Sequence, residues 1–178
     1  GVPMPKSNAT TLWPLYAIIV SFLAPILLAY WLFFSGYGYN NTINKGTLLA
    51  TPGIPVSNPT SKLPGKWIIA NLATTDNIPK NLTTISKRWA ALGKEQYRVL
   101  LATLHPYNQP PKDSPWPSTP VTTASWQKLS QQKTVDNQPC YYFLIDPSHH
   151  AILCYPETVT PKDIDTDLRK LLKYSRSG

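Results

Sequence analysis

Cysteine is in short supply in this chain. Two are present among 178 residues, Cys140 and Cys154, and neither belongs to a C-x-x-C pair, so the redox and metal motifs built on that spacing are excluded. There is no G-x-S-x-G elbow, which removes a hydrolase of that design. Acidic residues are few, nine against 17 Lys and Arg, for a net charge of +8. The basic residues are nevertheless scattered, without an Arg-rich helix or an aromatic RNP-like run, and nucleic-acid binding is excluded on that ground.

Charge itself is missing from one long stretch. Leu12 to Phe34, LWPLYAIIVSFLAPILLAYWLFF, is 23 residues without a charged side chain, and at 1.5 Å per residue it reaches about 34 Å, enough to cross a bilayer core. A 143-residue remainder is too small to wrap such a helix in a soluble core. The run ends WLFFSGYG rather than in the small residues of a cleavage site. These features predict an uncleaved anchor at 12–35, preceded by a cytoplasmic arm at 1–11. A large domain following a short arm implies that the C-terminal part lies outside, in the periplasm of a bacterial inner membrane. Residues 36–178 carry 16 basic and 9 acidic residues, because Lys6 is the only charge before them. A basic domain at a membrane suits anionic headgroups or an acidic protein partner.

Residues 36–64, rich in Gly, Asn, Thr and Pro, read as a spacer with a short edge strand near Thr47–Ala50. The domain proper is expected at 65–178. Lys66–Leu72 is a nearly continuous apolar run, as in a strand covered on both faces. Pro79 then opens a helix carrying Leu82, Ile85, Trp89 and Leu92 at helical spacing, stopped by Gly93. Arg98–Leu104 is a second buried strand, so the crossover is parallel and right-handed.

His105–Pro120 has six prolines in sixteen residues and predicts no regular structure. Within it Trp116 and Tyr107 are the candidate partner contacts, although for Trp116 a position tucked beneath the loop is the favoured reading. Val121–Gln132 predicts a short helix. Tyr141–Ile145 and Ala151–Tyr155 predict an antiparallel hairpin. With its turn near Ser148 and His149, Cys140 falls opposite residue 156 or 157, out of register with Cys154, and two free buried thiols are expected. The last helix opens with Thr160 as N-cap and Pro161 at its first position. Ile164, Leu168, Leu171 and Leu172 form its apolar stripe, and Lys170, Lys173 and Arg176 at its end read as a solvated face that suits the helix dipole.

This order, β-α-β then β-β-α, is that of an α/β thioredoxin-like fold, here with one N-terminal transmembrane helix. The stretch GKWIIANLATTDNIPKNL resembles the Gly-Lys strand of the Sco/SenC copper chaperones of cytochrome c oxidase, in which that strand runs into a C-x-x-x-C loop. The resemblance places the two family cysteines on Asn77 and Asn81, and the later TVDNQPCYYFLIDP resembles a further Sco segment. The chain also resembles a family of small single-pass, thioredoxin-like membrane proteins encoded near gammaproteobacterial oxidase and haem A synthesis genes. It shares the Asn44-Lys45-Gly46-Thr47-Leu48-Leu49 run, Gly65-Lys66-Trp67, Ala91-Leu92-Gly93-Lys94, and Asp167-Leu168 through Leu171-Leu172-Lys173 up to Ser175-Arg176 and Gly178.

An amide has no thiolate state and is a poor copper ligand, so Asn77 and Asn81 mark a degenerate site. The expectation is a non-catalytic, membrane-tethered accessory or assembly factor for a haem–copper oxidase, with no cofactor and a protein partner. The alternatives are a residual copper or thiol-redox protein using Cys140, Cys154 and one of His105, His149 and His150, and a structural subunit of a respiratory complex. A lone His105 at a strand end and two adjacent histidines in a turn are otherwise ordinary surface or core residues.

Overall fold

The computed structural model describes residues 1–4, 12–34, 44–73 and 81–175. They form two compact units divided after Ile43.

Among its described residues the first unit has one helix, α1 (Trp13–Phe34), with Pro25 inside it. From Trp13 to Trp31 it is long and apolar enough to cross a membrane, and none of that stretch is buried in protein.

The second unit is a seven-stranded mixed sheet with helices on both faces. Its elements are β1 (Thr47–Leu48), β2 (Ile54–Pro55), β3 (Trp67–Leu72), α2 (Leu82–Ala90), a 3₁₀ turn (Gly93–Arg98), β4 (Val99–Pro106), β5 (Ser118–Val121), α3 (Thr123–Ser130), β6 (Tyr142–Ile145), β7 (His150–Tyr155) and α4 (Pro161–Tyr174). The strands lie in the order β1-β7-β6-β3-β4-β5, with β2 also paired to β7. All six residues of β3 are buried, as its nearly continuous apolar sequence leads one to expect of a strand between two neighbours. It runs parallel to β4, Trp67 opposite Val99, and antiparallel to β6.

One sheet face packs against α3 through Ala70, Leu104, Val121 and Leu129; the other packs against α2 and α4 through Ile69, Ile85, Leu144, Ile164 and Leu168. Gly93 has φ +60, a left-handed conformation that ends the α2 pattern at no cost to glycine. Thr160 is the N-cap of α4 as expected, but its side chain makes no capping bond; the backbone carbonyl accepts from Asp163 instead. Pro79 lies outside the described residues.

Three expectations are corrected. The spacer is built into the domain from Asn44 onward: β1 and β2 pair with β7, and Leu49, Ile54, Val56 and Leu63 are buried. The Pro-rich segment ends in regular structure, because β5 pairs parallel with β4, with Pro120 opposite His105. An edge strand tolerates proline, since one row of its N–H groups has no strand to meet.

The third correction concerns the cysteines. Cys140 and Cys154 are joined, with Cα atoms 5.6 Å apart. The register was read correctly, since Tyr142 faces Tyr155 and Phe143 faces Cys154. What alternation could not show is that the strand stops at Tyr142. Before it the chain turns away, Cys140 donating its N–H to Gln132 and Tyr141 to Tyr155. This moves Cys140 from the sheet face of Tyr142 and Leu144 to that of Phe143, Ile145 and Cys154.

Candidate functional site

The carboxyl ends of β3 and β4 and the start of α2 meet where open α/β sheets carry their chemistry. Asn71 and Thr103, opposite each other on these strands, are both 2% exposed. Thr103 donates its hydroxyl to Asn71 Oδ1 at 2.7 Å, and its oxygen lies 2.6 Å from Ser114 Oγ. Ser114 also accepts the Trp116 N–H at 3.3 Å. The Trp116 indole is tucked under the Pro-rich segment at 3% exposure and donates to Ser86 Oγ at 2.8 Å, while Ser86 donates to Leu82 O. One hydrogen-bond chain, buried at Asn71 and Thr103 and part-buried beyond, therefore ties β3, β4, the Pro-rich segment and α2. Trp116 is occupied there and not at the surface; Tyr107, 54% exposed, is the accessible one of the two proposed contacts.

Asn81 stands at the N-cap of α2, yet makes no capping bond. Its Nδ2 donates to Val159 O at 3.1 Å and Glu157 O at 3.4 Å, so the amide ties α2 to the loop before α4. Asn77 lies outside the described residues.

Beside Leu72 and Ala73 a hollow of about 460 Å³ opens, lined also by Trp126, Pro139, Cys140, Tyr141 and Glu157. A second hollow, of about 320 Å³, is lined by Lys45, Asp136, Cys154 and Asp163. Gln138, Pro156 and Thr158 line both. The disulfide thus has one sulfur-bearing residue at each hollow, although Cys140 is only 5% exposed and Cys154 not at all.

The residues proposed for a metal do not converge. The cysteines hold each other. His105, 5% exposed, has Nδ1 2.9 Å from Pro106 O, an acceptor, so Nδ1 carries the proton. His149, in a left-handed turn conformation, donates Nε2 to Pro64 O, and His150 Nδ1 lies 4.0 Å from Asp146. His150 and Cys154 stand at opposite ends of β7, roughly 13 Å apart along the strand. Among the described residues, no three His, Cys, Asp or Glu side chains form a metal-sized group.

Sequence reasoning missed the most enclosed polar group. Asp167, fully buried on α4, accepts the Lys45 N–H at 3.0 and 2.8 Å, the Gly46 N–H at 2.8 Å and the Tyr155 hydroxyl at 3.0 Å. The Tyr155 phenol is held far above its ordinary range, by burial first and then by the Asp167 carboxylate. Tyr142 is likewise raised, by burial first and then by Tyr141 and Glu157. Its hydroxyl is buried with no hydrogen-bond partner among the described residues.

The family model described as "Transmembrane-like, thioredoxin-like, C-terminal domain" matches residues 68–175, more than half the chain. The chain belongs to this family. A search of curated proteins finds no match. Among solved structures, the Sco-family cytochrome c oxidase assembly protein BsSco has 15% identity and a TM-score of 0.45, over 75% of this chain and 99% of that one. A thioredoxin-like protein from Porphyromonas gingivalis has 13% identity and a TM-score of 0.46, over 73% and 96%. Copper-bound ScoI from Bradyrhizobium japonicum has 16% and 0.35, over 61% and 86%. The thioredoxin-like assignment rests on the family match.

Proposed function

We propose that this chain is a membrane-tethered, thioredoxin-like protein that acts by protein contact, without thiol or copper chemistry, in the biogenesis of a haem–copper oxidase on the periplasmic face of a bacterial inner membrane. The observation that carries the proposal is the use made of the site: Asn81 spends its amide on the 157–159 backbone and both cysteines are consumed in one buried disulfide. Without a thiolate there is no nucleophile for exchange and no soft ligand for copper. A disulfide also accords with an oxidising compartment. The oxidase is supported by the sequence resemblance alone.

The hollow beside Leu72 is the contact surface in this reading. Trp126, Tyr141, Pro139 and Pro156 give it an apolar wall, with Ser130, Gln138 and Glu157 at hand for hydrogen bonds. A photo-crosslinking residue placed at Ser130 or Gln138 in the full chain, in native membranes, is expected to capture an oxidase subunit or assembly protein, while one at exposed Thr60 does not. Equal capture from all three positions, or unchanged oxidase content in cells lacking the chain, contradicts the proposal.

One observation favours a second reading, thiol exchange with a partner: Cys140 lines the larger hollow. A partner thiolate would attack one sulfur, form a mixed disulfide and release the other cysteine as a thiolate. Trapping of that mixed disulfide by acid quenching of intact cells would select this reading over the first.

A further inference from the structure

We propose that the outward face of α4, with the adjoining 3₁₀ turn, is a docking surface for anionic lipid headgroups. Lys162, Arg169 and Lys173 are exposed, and at 100° per residue they fall within roughly 40° of one another on the helix. The helix dipole does not account for this stripe, because Lys162 sits in the first turn, where a cation is disfavoured. Lys94 and Tyr97, three residues apart in the 3₁₀ turn, are both exposed, Tyr97 by 66%; that spacing puts them on one side of such a turn.

Arg98 fastens the two elements together. Its guanidinium donates to Leu172 O at 3.2 Å and Ser175 O at 2.7 Å at the end of α4, and to Glu95 at 2.7 Å. Next to these carbonyls Tyr174 is 80% exposed, with Lys173 Nζ 5.8 Å from its ring centre. Two exposed tyrosines among cations are the side chains that settle at a membrane–water interface. The acids of these elements leave the face net positive: Asp165 accepts from Arg169 Nε at 3.0 Å and lies 3.8 Å from Arg88, one carboxylate against two guanidinium groups, Glu95 holds Arg98, Asp163 is half-buried, and Asp167 is buried.

The tether selects lipid as the occupant. The chain enters the domain at exposed Lys45, whose N–H is held by Asp167 on this same helix. Ten residues, 35–44, precede that point after α1, and such a segment spans at most about 36 Å. A bilayer is thus within reach throughout. Each Lys or Arg near an anionic surface strengthens association by about fivefold, within a Debye length of it. The cations are spread over a convex helix face instead of converging on a pocket, which suits headgroups better than one bound phosphate.

The test uses the full chain with a spin label on Tyr174→Cys, the native cysteines being joined. It is reconstituted in vesicles of phosphatidylcholine alone or of equal parts phosphatidylcholine and phosphatidylglycerol. In the anionic vesicles the label is expected to lose mobility and to become several-fold less accessible to an aqueous nickel chelate. High salt or the triple variant Lys162→Glu, Arg169→Glu, Lys173→Glu is expected to abolish the change. A second label at Tyr97→Cys should respond alike, and one at Thr60→Cys should not. Labels at 97 and 174 that ignore lipid charge overturn the proposal and leave an acidic protein as the face's partner; an equal response at Thr60 overturns it as well.

Discussion

The carboxylate of Asp167 receives the hydroxyl of Tyr155 at 3.0 Å, and both residues have no exposure to solvent. Between them they close the place where the N-terminal segment enters the domain. Gly46 is part of the same contact, since a Cβ there would lie 2.5 Å from the Tyr155 ring. Removing a carboxylate that satisfies several buried donors costs about 3 to 5 kcal/mol. Asp167→Ala is therefore expected to lower stability by that amount, and Gly46→Ala by about 1 to 3 kcal/mol through overpacking. Urea unfolding followed by near-ultraviolet circular dichroism measures both. The two changes should be less than additive, because they act on one contact.

Alkaline pH strikes the same residue. The folded state holds Tyr155 and Tyr142 neutral far above the ordinary tyrosine range, in both cases chiefly through burial, while the unfolded chain ionises them near pH 10. Their contribution to stability is complete below that pH. It is lost progressively above it, where the unfolded state releases protons that the folded state keeps. Absorbance of phenolate is expected to show two tyrosines that ionise only on unfolding, and Tyr142→Phe is expected to leave one.

The disulfide closes a loop of sequence separation 14, and a loop near that length stabilises by about 3 kcal/mol in the chain-entropy model. Replacing both cysteines by serine is expected to lower the urea midpoint accordingly. Under native conditions neither thiol of the untreated chain should be alkylated, and after denaturation without reductant neither should be. Alkylation of either position in the oxidised, unfolded chain would contradict the assignment.

Trp116 and Tyr107 are expected to behave oppositely. Trp116→Ala removes a buried indole and its bond to Ser86, at about 3 to 5 kcal/mol, whereas Tyr107→Ala should change stability by less than about 0.5 kcal/mol. Acrylamide should quench Trp116 fluorescence poorly, as read by comparison with Trp116→Phe.

Much of this architecture was legible because burial leaves a pattern. The runs at β3 and β4 are mostly apolar, and the stripe Ile164, Leu168, Leu172 marks α4 as well in the sequence as in the buried residues of that helix. The Asp167 contact was not legible: Asp167 falls within this apolar stripe, but besides Tyr155 its partners are backbone N–H groups more than 120 positions away. Its one signal is that a carboxylate on an inward face must find donors. Cys140 was misread because alternation assumes that a strand continues, and β6 does not extend past Tyr142. β5 was missed because proline argues against a central strand and says less about an edge. At the candidate site, Asn81 proved to be in use as a tie to the 157–159 backbone, which its residue type alone could not specify.

The central claim, that the chain works by contact and not through its sulfur, is tested most directly by replacing Cys140 and Cys154 together with alanine in cells that lack the native protein. With the variant adjusted to the native amount in the membrane, haem–copper oxidase content, read from its haem absorbance, is expected to return to the level given by the native chain. Oxidase content that stays as low as in cells without the protein, despite an equal amount of folded variant, would contradict the account.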